Sequence, residues 1–95
     1  MPSDIKLRIE LSPIFDKKLR QLHPEIIAAF DETLELLWDN PNNEHLRRHF
    51  LKEKYAGYQS IDVTENYRAV FKESKTKNVI VIKFHTIGTH NDLYG

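Results

Sequence analysis

The apolar residues of this chain change their spacing at Pro41, and that change limits the folds it can adopt. Before Pro41 they recur at helical intervals: Phe15, Leu19 and Leu22, then Ile26, Ile27, Phe30, Leu34, Leu37 and Trp38. After Gly57 they alternate, with Gln59, Ile61 and Val63 on one parity and Tyr58, Ser60 and Asp62 on the other. A helix with one apolar stripe and a sheet with one apolar face each need a second layer to bury against. The sequence therefore predicts a two-layer α+β domain, with one layer of helices on one sheet. A chain of 95 residues holds one such core, so residues 1–95 are expected to form a single domain.

The order of elements follows from the punctuation. Ile5, Leu7, Ile9 and Leu11 alternate with Lys6, Arg8 and Glu10 and predict a first strand. Ser12-Pro13 is an N-cap followed by proline at the first helical position, which predicts a helix over 13–22. Pro24 opens a longer helix that Asn40-Pro41 ends. The two helices make a hairpin, and Trp38 is assigned to its core with the other helix aromatics. Asn42 to Glu44 is a polar loop, and His45 to Lys54 is a basic stretch anchored by Leu46, Phe50 and Leu51. Strands follow near 59–63, 67–72 and 79–84, with turns at 64–66 and 74–78. The last strand is apolar on both sides and is expected in the centre. The N-terminal strand, the helical hairpin and an antiparallel three- to four-stranded meander complete the expected fold. The first strand pairs at an edge or beside the central strand. The polar tail from Thr86 closes on Leu93-Tyr94.

Charge and composition narrow the function. The formal net charge is zero, which argues against a domain that grips nucleic acid by bulk charge. Residues 1–44 nevertheless carry −4 and residues 45–95 carry +4, and four of the five histidines lie in the second half. There is no cysteine, which excludes disulfides and thiolate chemistry. No apolar run nears the roughly 18 residues of a membrane span, and no signal-peptide pattern is present. A cytoplasmic protein with no membrane partner is expected. Dinucleotide, P-loop and zincin patterns are missing. His45 and His49 have a metal-pair spacing if that segment is helical, but nothing marks a third ligand. Neither a metal nor another cofactor is expected.

The residues that carry chemistry are His49, Asp62, Arg68, His90 and Tyr94. If Ile61 and Val63 face the helices, Asp62 lies on the open face of the sheet. Arg68 lies just beyond the next turn and can share that face. The tail can fold back over it with His90 and Tyr94. Such a group suits RNA cleavage by the strand's own 2′-hydroxyl. Histidine is the side chain suited to proton transfer near neutral pH, arginine holds a phosphate with a planar fork, and tyrosine stacks on a base or donates a proton. The basic residues Arg47, Arg48, Lys52 and Lys54 are candidates to track the RNA backbone. Each of these residues also has an ordinary structural use, as a surface histidine, a cross-strand ion pair or a solvated charged face.

The run Gly57-Tyr58 through Tyr67-Arg68-Ala69-Val70-Phe71-Lys72, with Ile87-Gly88-Thr89-His90-Asn91-Asp92-Leu93-Tyr94-Gly95, resembles the RelE/ParE superfamily of bacterial toxins, above all its YafQ-like branch. The resemblance implies the toxin of a type II toxin–antitoxin pair, with that family's RelE-like fold. It implies a ribosome-dependent endonuclease that cuts mRNA and inhibits translation. The implied partners are a cognate antitoxin, the ribosome and mRNA, with operator DNA reached only through the antitoxin complex. Residue by residue, His49 matches a catalytic histidine of YafQ-like toxins, His90 the tail histidine and Tyr94 the terminal aromatic. Arg68 matches the phosphate-binding arginine of RelE-like members. Asp62 stands where YafQ-like toxins have a second histidine, Asn66 where they have an aspartate, and Thr86 where an arginine is expected. Under this resemblance His49 is the base, His90 the acid and Arg68 the phosphate clamp, with Asp62 orienting His49, sharing its proton or replacing it as base. The alternatives are a non-enzymatic ParE-like toxin that binds gyrase and a degenerate toxin that still binds an antitoxin.

Overall fold

The computed structural model describes residues 5–94. Gly95, the last residue of the tail motif, lies outside them. Strand β1 (Lys6–Leu11) leads into helix α1 (Pro13–Arg20) and helix α2 (Pro24–Asp39). A 3-10 turn over Glu44–Leu46, a short strand β2 (His49–Phe50) and a second 3-10 turn over Glu53–Tyr55 follow. Strands β3 (Gln59–Asp62), β4 (Tyr67–Thr76) and β5 (Val79–Thr89) and a terminal helix α3 (His90–Tyr94) complete the chain. The sheet has five strands in the order β1-β5-β4-β3-β2. The strand β1 is parallel to β5 and the other pairs are antiparallel, so the sheet is mixed and β5 lies between β1 and β4.

The helices start and stop for local reasons. The Ser12 hydroxyl accepts from the Phe15 amide at 3.1 Å and donates to the His85 carbonyl at 3.0 Å. One cap thus fixes both the start of α1 and its position against β5. Asn40 is extended, with φ −156° and ψ 102°, as a residue before proline prefers, and α2 ends there.

The core forms where the helix stripes meet the inner face of the sheet. Phe15 and Leu19 come from α1, Phe30 and Leu37 from α2, and Ile61, Ala69, Phe71, Ile82, Phe84 and Ile87 from the sheet. Phe84 is at its centre, with ring centroids 5.2 Å from Phe15, 5.3 Å from Phe30 and 5.5 Å from Phe71. Such aromatic pairs contribute about 0.5–1.5 kcal/mol each beyond area burial.

The strand β5 does not alternate evenly. Val70 pairs with Thr86 but Phe71 pairs with Phe84, so His85 is an extra residue and the ladder bulges there. The bulge lets Phe84 and Ile87, three residues apart, both face the helices.

Three sequence expectations change. Trp38 is 53% exposed, not core. The buried residues of α2 are Phe30, Thr33 and Leu37, and position 38 lies about 100° round the helix from 37. The hairpin is also longer than expected. The run Glu73 to Lys75 continues β4, paired with Ile80 to Ile82, and only Lys77 and Asn78 form the turn. Their polar side chains are exposed, which hid the strand from a reading of hydrophobicity. Finally, Thr86 to Thr89 are not a loose tail but the last residues of β5.

Phe84→Ala removes the ring on which three others converge. It is expected to destabilise the fold by about 3–5 kcal/mol, measured by urea denaturation. Trp38→Ala is expected to change stability far less.

Candidate active site

The site lies on the face of the sheet away from the helices. There Asp62 of β3, Arg68 of β4 and Gly88 of β5 occupy one register row. His49 of β2 stands opposite Ser60 of β3. A cleft of about 410 Å³ opens over these rows, lined by His49, Phe50, Leu51, Lys52, Glu53, Arg68, His90 and Tyr94. Four of the five candidate residues therefore wall one cavity. A larger hollow of about 520 Å³ beside it shares His49 but has no second imidazole.

The His49 ring is held at both nitrogens. Nδ1 lies 2.8 Å from the Arg47 carbonyl and Nε2 lies 3.3 Å from the Ser60 hydroxyl. A carbonyl can only accept, so Nδ1 carries a proton, and in the neutral ring Nε2 keeps the lone pair. Arg47 has φ 50°, a left-handed conformation that costs a non-glycine residue about 1–2 kcal/mol. Ser60 is fully buried. These contacts give His49 a fixed tautomer with its basic nitrogen on the Ser60 side.

His90 is held by a different device. The Asp92 carboxylate accepts from the Thr89 amide at 2.9 Å, and the Thr89 hydroxyl accepts from the Asp92 amide at 3.2 Å. This reciprocal pair is a capping box across the start of α3, and His90 is the first residue inside it. Hydrogen bonding from Thr89, its backbone amide first, holds the Asp92 carboxyl below the usual carboxylate range. Gly88 makes the approach possible, because a Cβ there would lie 2.8 Å from the Asp92 Cβ. The His90 ring packs against Tyr94 in a tilted arrangement with centroids 4.8 Å apart. Burial pushes the Tyr94 phenol above its usual value, partly opposed by the Arg68 charge. The phenol therefore stays protonated at neutral pH and can donate a hydrogen bond.

Asp62 makes the cross-strand ion pair that the sequence also allowed, in place of a contact with His49. Its carboxylate lies 3.3 Å from Arg68 Nε and 3.9 Å from Arg47 Nε. His49 is oriented by the Arg47 carbonyl and Ser60 instead. Asp62 thus positions Arg68, leaving the end of that guanidinium free to meet an anion.

The basic residues divide in the same way. The Arg48 guanidinium donates to Gln59 at 2.7 Å and to the Pro41 carbonyl at 3.3 Å, pairs with Glu73 and lies over the Phe71 ring. With its hydrogen bonds spent inside the protein, Arg48 is a structural residue and leaves the backbone-tracking set. Lys52 lines the cleft, and Lys54 lies 5.3 Å from the Tyr55 ring centroid. Arg47 is 78% exposed in its side chain. The helical premise of the His45–His49 metal pair fails, because a 3-10 turn and the left-handed Arg47 separate them. Among the described residues no cluster of three or more metal-binding side chains occurs. No helix among them is long and apolar enough to cross a membrane.

Sequence reasoning missed Ser60, Tyr55 and His85. Ser60 shares its strand parity with Asp62, which was a usable signal. Tyr55 and His85 join Tyr58 and Tyr94 in an aromatic row that no spacing rule indicates. Of the positions that depart from the toxin pattern, Asn66 lines a hollow next to Arg68 and His90, and Thr86 accepts from Lys18 Nζ at 2.9 Å.

No protein-family model matches the chain, and no curated protein matches it in sequence. Solved structures do match it in fold. A YoeB/ParE toxin from Agrobacterium tumefaciens has 14% identity and a TM-score of 0.70, over 87% of this chain and 98% of that one. YafQ from E. coli strain BL21(DE3) has 22% identity and a TM-score of 0.68, over 92% and 97%. A chain of the E. coli DinJ-YafQ toxin–antitoxin complex has 21% identity and a TM-score of 0.69, over 96% and 100%. The fold is that of these RelE/ParE-type toxins.

Gly88→Ala is expected to break the Thr89–Asp92 pair and free α3. The Thr89 amide would lose its protection against hydrogen exchange, while that of Ala69 in β4 would keep it. The carboxylate of Asp92 is held below the unfolded value of 3.8. The support it gives α3 is therefore complete above that pH and lost as pH falls through the folded value. Arg68→Ala is expected to move the Tyr94 titration further upward, read by NMR of the ring.

Proposed function

We propose that this chain is the toxin of a type II toxin–antitoxin pair and acts as a ribosome-dependent mRNA endonuclease. The observation that carries the reading is the single cleft walled by His49, Arg68, His90 and Tyr94. Two imidazoles and a guanidinium lining one open cleft are the groups that metal-free cleavage requires. A gyrase binder or a degenerate toxin needs none of them. The likeness of fold to toxins, one of them solved with its antitoxin, supports an antitoxin as partner.

The proposed reaction is a transesterification within the RNA. His49 Nε2 takes the proton of the ribose 2′-hydroxyl, and that oxygen attacks the adjacent phosphorus. Negative charge gathers on the non-bridging oxygens, where Arg68 stabilises it. The P–O5′ bond breaks, and the leaving oxygen takes a proton from His90. The products are a 2′,3′-cyclic phosphate and a 5′-hydroxyl. Ser60 and the Arg47 carbonyl hold His49 in the tautomer that makes it a base. Tyr94 packs against His90 and donates to the phosphate or a base. Asp62 positions Arg68, and Lys52, Lys54 and Arg47 attract the backbone, a contribution that weakens with salt.

In a translation extract with ribosomes and a defined message, the wild-type chain is expected to cut within the A-site codon. His49→Ala and His90→Ala are each expected to reduce cleavage by about 10²–10⁴-fold, the range for general acid–base catalysis. Ser60→Ala is expected to lower the rate less and to shift its pH profile. No cleavage by the wild type, or full activity in both histidine variants, overturns the reading. Inhibition of DNA supercoiling would replace it with the gyrase-binding alternative.

A further inference from the structure

Below the bulge, on the same open face, Lys72 of β4 stands directly opposite Lys83 of β5. Like charges directly opposite on paired strands destabilise a sheet. Neither ammonium forms an ion pair among the described residues. The neighbouring position on β1 is Glu10, in register with Lys83, but Arg8 takes its carboxylate at 2.7 Å. Among the described residues, the two positive charges thus stand side by side with neither in an ion pair.

The surroundings of the pair have the features of a binding site. Lys72 Nζ lies 5.4 Å from the centroid of the Tyr58 ring, and the Tyr58 and His85 rings are 5.2 Å apart. With Ser12, Lys83 and Phe84 these residues line a hollow of about 250 Å³, separate from the cleft. Tyr55 links the two, with its ring 5.9 Å from Tyr94 in the cleft and 6.3 Å from Tyr58 beside the hollow. Along β4, Arg68 and Lys72 are about 13 Å apart at the usual strand rise, a span that a few nucleotides of single strand bridge.

We propose that Lys72 and Lys83 hold a second backbone phosphate of the RNA whose scissile phosphate meets Arg68, with Tyr58 and His85 as a shelf for a base. This rests on the cleavage reading above and extends it to a binding path along the sheet. The row of rings favours RNA over an acidic protein segment, because bases stack on aromatic side chains and carboxylates do not.

The test uses the full chain and a short single-stranded RNA methylated at its 2′-oxygens, so that binding is read without cleavage. Each phosphate contact on a single strand contributes about 0.7 to the slope of log affinity against log salt. Lys72→Gln with Lys83→Gln is expected to lower that slope by about 0.7, the share of the one phosphate they hold. The double variant is expected to melt at or above the wild-type temperature, since like charges are removed. An unchanged slope, no RNA binding by the wild type, or a lowered melting temperature each overturns the subsite. A polyglutamate peptide that binds the wild type as tightly as RNA, and loses affinity in the same variant, would assign the pair to an acidic protein partner instead. Cleavage is scored separately in the translation extract. A chain that shows the slope change but never cuts a message keeps the subsite and loses the nuclease.

Discussion

Between Phe84 and Thr86 the strand β5 gains one residue, and both faces of the sheet are arranged around that gain. On the helix side it allows Phe84 and Ile87 to enter one core at an uneven spacing. On the other side it brings the His85 ring against Tyr58. The bulge is tied down by Ser12, whose hydroxyl also caps α1. A bulge re-aims side chains at the cost of a ladder position, and such features often lie next to functional sites. Here the same irregularity joins the stability of the core to the shape of the open face.

The cleft depends on short, local devices more than on buried charge. A left-handed residue, a buried hydroxyl, a capping box and a glycine each set one side chain. Their combined effect is to bring groups from β2, β4 and α3 to one cavity. Electrostatics enters mainly through Asp62, which faces two arginines, and through the Tyr94 phenol, whose pKa is raised by its partial burial. The structure thus separates residues that hold the site from residues that face its space.

Much of the fold was legible because it follows from periodicity and punctuation. The two helices, the central β5 and the common face of Asp62 and Arg68 all come from spacing and parity. The places where that reading failed have physical reasons. Trp38 is apolar, but it lies off the stripe that reaches the sheet. The β4 arm beyond Lys72 is polar and exposed at every position, so alternation carries no signal there. The partner of Asp62 depended on a contact between side chains, which parity does not report. Arg48 looked like a free cation in the sequence because its acceptors, Gln59, Glu73 and the Pro41 carbonyl, are distant in the chain. The grouping of His49 with His90 rested on a tail expected to fold back over the open face and on the resemblance, since no local rule joins residues so far apart.

The two walls of the cleft differ in how firmly they are built. Arg68 and His90 belong to the ten- and eleven-residue strands β4 and β5 and the helix capped onto them. His49 stands on a strand of two residues at the sheet's margin, flanked by left-handed residues at Arg47 and Glu53. Local opening begins where few bonds hold the chain, so the two jaws have unequal stiffness. The soft jaw can therefore open locally while the hard jaw keeps its register, without wider unfolding of the molecule.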